Sequence, residues 1–569
     1  MNVVQAVKMY ITKMTEESGP GMKLLLMDKH TTSIVSMVYS QSEILQKEVY
    51  LFQRLDSGGM LEPMKHLKCI AFLRPTKENI TLLSRELKYP KYGVYYIYFS
   101  NIIAKADVKT LAECDEHEVV REVQEFYGDY LAISPHLFSL NIPSCAQGLA
   151  WDPLQLTRCA QGITAVLLSL KKCPFIRYQQ SSDMAKRLAE KIREVLSKEE
   201  KLFDYRPTDP APLLLILDRR DDPITPLLSQ WTYQAMVHEL LTISNNRVNL
   251  SHVPGISKEL KEVVLSAEHD DFYANNLYLN YGEIGQTVKQ LMDEFQRKAK
   301  SHQKVESIAD MKAFVENYPQ FKKMSGTVSK HVAVISELSS LVGKRNLLEV
   351  SEMEQELACQ NQHSQQLQRL RSLLGSSKVR DEEALRLVLL YALRYKKHSN
   401  NDITGLVDAL KRRGLSEDMI KMVVNIIEYG SSQDSAAENI MSQETVVKIT
   451  KRLFKDLKGV ENVYTQHVPL VRETLEDLIK GRLKDTTYPF LGNSAPGRRV
   501  QDVIVFIVGG VTYEESLAVY QLNRSSTTGG VRIVLGGSTV HNTESFLEEV
   551  RAATQGLPTS HRAHRYSRN

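Results

Sequence analysis

The chain has 569 residues, 42% hydrophobic and 25% charged, which supplies apolar side chains for several cores and excludes a disordered or collagen-like protein. Its net charge is only +4, from 72 basic and 68 acidic residues, without the concentrated basic face of a nucleic-acid binder. Its 6 cysteines form no CxxC pair, which excludes a zinc knuckle or thioredoxin-like motif and suits a reducing compartment. Met1–Lys13 lacks an apolar signal core, and no segment offers about 18 uninterrupted apolar residues, so a cytosolic protein without a spanning helix is expected.

In chain order, Lys23–Asp28, Lys68–Leu73, Gly93–Phe99 and Asp129–Ile133 read as short buried strands, with helical stretches such as Lys77–Leu87 between them. Such alternation predicts a doubly wound α/β domain over residues 1–135. A second α/β region follows Phe138, its clearest strand being Leu213–Asp218. Residues 246–485 read as helical: Val328, His331, Val332, Ile335, Leu338 and Val342, and then Leu385, Val388, Leu389 and Ala392, recur at helical spacing. Ser431–Ser435 reads as a polar loop. Strand-then-glycine units return at Asp502–Gly510 and Val531–Gly537. Two strands do not make a stable sheet alone, so these are expected to complete the sheet begun near 213. Residues 136–245 and 486–552 then form one discontinuous α/β domain with the helical block inserted. Residues 553–569, with the basic run His561–Arg568, read as a loose tail or a contact for an anionic membrane.

The motifs argue against catalysis. Gly509-Gly510 follows a strand where a phosphate could meet a helix, but neither GxGxxG nor GxxxxGK[ST] is present. Thr512 with Glu515 three residues on forms a capping-box pattern, and Gly536-Gly537-Ser538 reads as a similar tight turn. Asp218, Asp221 and Asp222 could hold a divalent metal, yet Arg219 and Arg220 among them favour internal ion pairs and loop ordering. His238-Glu239 begins like HExxH but continues to Leu241 and Thr242, so no zincin is present. Trp231, Tyr233, Met236, Leu240 and Leu241 are spaced as a packed helix. No metal, cofactor or catalytic residue is assigned.

The contiguous stretch Leu215–Leu228, continuing through Trp231–Leu241, resembles the signature of the SM family of syntaxin-binding, SNARE-regulating proteins. The run from Glu473 to Leu483, Val508–Glu515 and Leu535–Asn542 support the resemblance, which spans about Val4 to Val550 and is closest to the vacuolar-protein-sorting branch acting at trans-Golgi and endosomes. It implies a three-domain arch of two α/β domains with a helical domain inserted in the second. It also implies three sites. A syntaxin N-terminal peptide would sit on the first domain in Asp107–Asp129, with Val108, Leu111 and Val123 forming an apolar hole and Glu125 an acidic rim. Asp28 would wall a central cavity for syntaxin helices. A helical hairpin in Asp310–Met324 would face the vesicle SNARE, flanked by Tyr318 and Phe321. Proline must end, kink or hinge a helix, and Pro319 is read as the hinge between a folded-back and an extended tip, a static turn being the alternative.

The function implied is a peripherally recruited, monomeric scaffold. It would bind a Golgi or endosomal syntaxin, touch the membrane through that syntaxin, and template SNARE assembly for vesicle fusion without making or breaking a bond. Two rivals stand beside it. One is an α/β enzyme using a nucleotide-derived substrate, with Gly509-Gly510 and Asp218 in its cleft. The other is a tethering scaffold without SNARE contact.

Overall fold

A leucine run without polar alternation needs cover on both faces, and Lys23–Met27 (β1) obtains it inside a parallel sheet. Its companions are Val49–Arg54 (β2), Met64–Leu73 (β3), Tyr92–Phe99 (β4) and Val120–Glu125 (β5). The computed structural model describes residues 1–59, 61–303, 307–431, 464, 466–492 and 496–557. The five strands lie in the order β2-β1-β3-β4-β5, every pair parallel, which is the doubly wound arrangement expected. One face is closed by the helices Lys77–Lys88 and Lys105–Cys114, whose Ile80, Leu83, Leu87 and Leu111 pack with Leu24, Cys69, Tyr95, Ile97 and Phe99.

The strand expected near 129–133 does not belong to this sheet. Leu131–Ser134 (β6) pairs antiparallel with Leu137–Ser139 (β7) at the edge of a second sheet. That sheet continues through Phe175–Tyr178 (β8), Leu213–Asp218 (β9), Asp502–Val508 (β10) and Arg532–Gly537 (β11), in the order β8-β9-β10-β11-β7-β6. The late strands do pair with the early one: Leu213 to Asp218 lie beside Val503 to Val508 in parallel register. Gly536 is required by close approach, since a Cβ there would stand 2.0 Å from the Phe138 ring.

The chain forms two compact units. One comprises Met1–Arg219, Leu470–Val511 and Ala518–Val540, and holds both sheets; the other comprises Arg220–Pro469, Thr512–Leu517 and the chain from His541. The sheets, expected as separate domains, share a unit partly through Asp129, which is fully buried between two arginines. Arg74 Nε donates to its Oδ1 at 2.9 Å, Arg158 Nη1 to its Oδ2 at 2.8 Å, and Asn101 Nδ2 to Oδ2 at 2.9 Å. Arg74 follows β3, whereas Arg158 lies on the helix Pro153–Leu170.

The second unit begins at Arg220 rather than 246 because the signature segment packs into it. Trp231, Tyr233, Met236 and Val237 are buried with Tyr273, Val334 and Leu338. His331, on the helix Ile308–Lys344, is fully buried; its Nδ1 meets Tyr233 Oη at 2.8 Å and its Nε2 meets Asp270 at 2.7 Å. The helix Thr543–Thr554 carries buried Ala553 past the expected boundary at 552. Ser432–Ser435 and the basic run His561–Arg568 lie outside the described residues.

Replacing Asp129 by alanine leaves two mostly buried guanidinium groups without their carboxylate, and the expected loss is about 3–5 kcal/mol in denaturant unfolding. Burial opposes ionisation of Asp129, but Arg158 and Arg74 hold its pKa below the ordinary carboxylate value. Its contribution is therefore complete above about pH 4 and is lost as the pH falls through the folded value. The stability gap between wild type and Asp129→Ala should narrow in that acidic window.

Candidate functional site

The four residues assigned to a peptide pocket gather at one edge of the first sheet. Val108 and Leu111 lie on the helix Lys105–Cys114, and Val123 and Glu125 lie on the edge strand β5. Register places Val123 beside Ile97 and Glu125 beside Phe99, so both share the sheet face that packs on Leu111. Their exposures differ. Val123 is 40% exposed, Val108 is half-buried, and Leu111 is only 4% exposed. Leu111 is thus a core side chain, and its assignment to an open hole is corrected: helix packing against Tyr95, Ile97 and Phe99 already covers it. Glu125 is half-buried, and its Oε2 accepts from Ile103 N at 2.6 Å and its Oε1 from Tyr127 Oη at 3.2 Å. Burial pushes its carboxyl pKa up against those two hydrogen bonds. Ile103, which the sequence did not single out, thereby fixes the rim carboxylate in place. Only the charge-rich β5 carries a sparse apolar signal, Val120 and Val123, which hid it as a strand.

Asp28 does not wall an open cavity. It is buried, and its Oδ1 accepts from His30 N and Thr31 N to cap the helix Lys29–Val38. Its Oδ2 accepts from Arg74 N and Asn79 Nδ2, both at 2.7 Å. This is the carboxyl end of β1 beside β3, the switch point where doubly wound sheets accept nucleotides. Here a carboxylate fills it, where it would repel phosphate.

The glycine turns are likewise closed. Gly509 and Gly510 take φ values of 90° and 100°, a conformation other residues reach only at a cost. Beyond them Thr512 and Glu515 form the expected capping box: Glu515 Oε1 accepts from Thr512 N at 3.0 Å, and Thr512 Oγ1 accepts from Glu515 N at 3.3 Å. A carboxylate of the chain's own occupies the helix start where an anion would bind. Asp218 is buried and accepts from Ser182 Oγ at 2.7 Å. Arg219 Nη1 donates to Gly510 O at 3.4 Å, and Arg220 Nε donates to Tyr429 O at 2.7 Å. Among the described residues, no group of three or more His, Cys, Asp and Glu is placed to hold a metal.

The segments that carry the family resemblance meet inside the second unit. Asn542 Nδ2 donates to His238 O at 2.9 Å, Thr543 N donates to Glu239 Oε2 at 3.0 Å, and Tyr513 sits edge-on to His238 at 5.3 Å. With Pro226 and Gln230 they line a small, partly open pocket of about 10 Å³, room for roughly one water. Glu239 also takes Arg386 Nη1 at 3.3 Å, so the pair that began like HExxH is a docking element.

The hairpin is formed by Tyr281–Gln303 and Ile308–Lys344, with Phe295 stacked on Phe321 at 5.2 Å. Pro319 is exposed and stands inside the second helix without ending it. Proline removes one backbone donor, and at an exposed position solvent can satisfy the freed carbonyl, so a long cooperative helix tolerates it. Tyr318 is 48% exposed beside Phe314, and Phe321 is half-buried.

The chain matches the Sec1 family over residues 23–549. It is 66% identical to mouse vacuolar protein sorting-associated protein 45, covering 97% of this chain and 96% of that one. It is 45% identical to the Dictyostelium discoideum protein of that name, over 98% of each chain. A solved structure described as SM protein Vps45 in complex with Qa SNARE Tlg2 superposes with a TM-score of 0.91 at 46% identity, covering 98% of this chain and 100% of that one.

The exposure contrast predicts opposite stability effects. Leu111→Ala should cost about 2–4 kcal/mol by opening a core void, whereas Val123→Ser should stay within about 0.5 kcal/mol of wild type in chemical denaturation.

Proposed function

The chain belongs to the Sec1 family, and on that footing we propose that it binds a Golgi or endosomal syntaxin and holds SNARE helices in register during complex assembly. The observation that supports the reading most is likeness over nearly the whole length to a chain solved with a Qa SNARE bound. The filled switch point at Asp28 and the occupied helix start at Glu515 fit a binding scaffold better than a nucleotide enzyme. No catalytic residue, cofactor or metal is assigned.

In this reading the syntaxin N-terminal peptide lies along the edge of the first sheet. Val123 and Val108 offer apolar contact, and Glu125 offers charge to a basic residue. Burying one leucine or phenylalanine of the peptide there is worth roughly 1.5–3 kcal/mol. That is too little for tight binding alone, and the larger gain comes from linkage. A tethered syntaxin presents its helices to a second surface at high effective concentration. SNARE segments lose ordering entropy on assembly, and a preorganised surface offsets part of it. In this scheme the hairpin offers the vesicle SNARE a further surface, with Tyr318 and Phe321 as apolar contacts and Pro319 as the hinge. Among the described residues no helix is long and apolar enough to cross a membrane. In the proposed scheme the protein is a cytosolic monomer, and the syntaxin recruits it to trans-Golgi and endosomal membranes.

Calorimetric titration with the cytosolic part of a trans-Golgi syntaxin tests this. Wild type should bind saturably at one site. Val123→Arg places a charge on the apolar contact without disturbing the core, and should weaken binding by roughly tenfold or more. Equal affinity for both proteins would remove the pocket, and absence of binding to any syntaxin would remove the function.

A further inference from the structure

The helix Ile308–Lys344 exposes large apolar side chains at its start: Ile308 is 86% exposed, Met311 61%, Val315 69% and Tyr318 48%. At 3.6 residues per turn they fall within roughly 80° of arc, so they form one stripe. The stripe is not the face that closes the hairpin, because Phe321 turns to Phe295 of the neighbouring helix. Nor does it continue inward: Val328, His331, Val334, Leu338 and Val342 of the same helix are buried.

The stripe is bordered by cations. Lys322 follows Tyr318 on nearly the same line, and Lys312 and Lys323 flank it, all three exposed. Arg297, Lys298 and Lys300 lie exposed on the last turns of the adjoining helix. Of the two carboxylates between Ile308 and Lys323, Glu316 pairs with Lys312 at 4.0 Å and Asp310 lies away from the stripe. Residues 297–303 and 307–323 together carry a net charge of +4, as much as the whole chain.

We propose that this end of the hairpin docks on an anionic lipid bilayer, the apolar stripe entering the interface and the lysines meeting the headgroups. A bilayer accepts an apolar stripe without demanding matched side chains, and its anionic lipids supply the charge the border lacks. Tyrosine at the inner end of the stripe suits the headgroup level. The contact is weak alone and adds to the syntaxin tether through effective concentration.

The test is co-sedimentation of the full chain with vesicles of phosphatidylcholine alone or with phosphatidylserine added. Wild type should bind the phosphatidylserine vesicles, bind neutral vesicles far less, and release on raising salt. The double variant Ile308→Asp/Met311→Asp should lose roughly tenfold or more of that binding while keeping affinity for the syntaxin N-terminal peptide alone. Should that variant lose its far-ultraviolet circular dichroism, Lys312→Glu/Lys322→Glu/Lys323→Glu decides in its place, with the same loss expected. Wild-type binding that survives the deciding variant, equal binding to neutral vesicles, or no sedimentation at all would overturn the proposal. So would a stripe variant that keeps vesicle binding and loses only an isolated SNARE helix. Syntaxin titration is measured separately, so failure here leaves the proposed function standing.

Discussion

Pairing of Leu213–Asp218 with Asp502–Val508 is the constraint on which the rest of the fold depends. Both strands are buried along their whole length, and neither is complete without the other. The chain between them must leave and re-enter the same sheet, which turns the helical block into an insertion. Loop-closure entropy grows only slowly with length, so a long insertion costs the sheet little once these strands have met. The helices can then elaborate surfaces without disturbing the sheet.

The same economy explains where function resides. The most recognisable stretch of the sequence, Leu215–Leu241, is an internal element of the fold. Trp231 and Tyr233 fill a core, Arg219 and Arg220 bond to backbone carbonyls, and His238-Glu239 docks on Asn542-Thr543. Places where an α/β enzyme would admit phosphate are taken by Asp28 and Glu515. The exposed apolar side chains lie elsewhere, at a sheet edge with Val123 showing and along a long helix with an apolar stripe, and these are the surfaces proposed for partners. A scaffold that works by holding other chains needs that distribution.

Much of this was legible in the sequence. Continuous apolar runs marked β1, β3, β4, β9, β10 and β11, because strands covered on both faces cannot alternate. The late strands were placed beside the early one by the simple need for partners. Edge strands escaped notice, since β2 and β5 have one neighbour each and β5 is mostly charged. Leu131–Ser134 was assigned to the wrong sheet because a short strand carries no mark of which sheet it joins. At the candidate site, the four assigned residues do share one sheet edge, but the sequence did not give their depth: Leu111 is buried and Val123 is exposed. Asp28 was placed at a cavity wall by the family resemblance, and only the backbone of Arg74, far along the chain, shows its carboxylate to be spent. Pro319 read as a hinge, and it stands exposed inside a helix of 37 residues that runs on past it.

The account's central claim is that a syntaxin N-terminal peptide binds at the edge formed by the helix Lys105–Cys114 and β5. Hydrogen exchange followed by mass spectrometry, with and without that peptide alone, addresses it most directly. The account predicts slowed exchange confined to residues 103–125. Peptide binding that left this stretch unchanged and protected another part of the chain would contradict it.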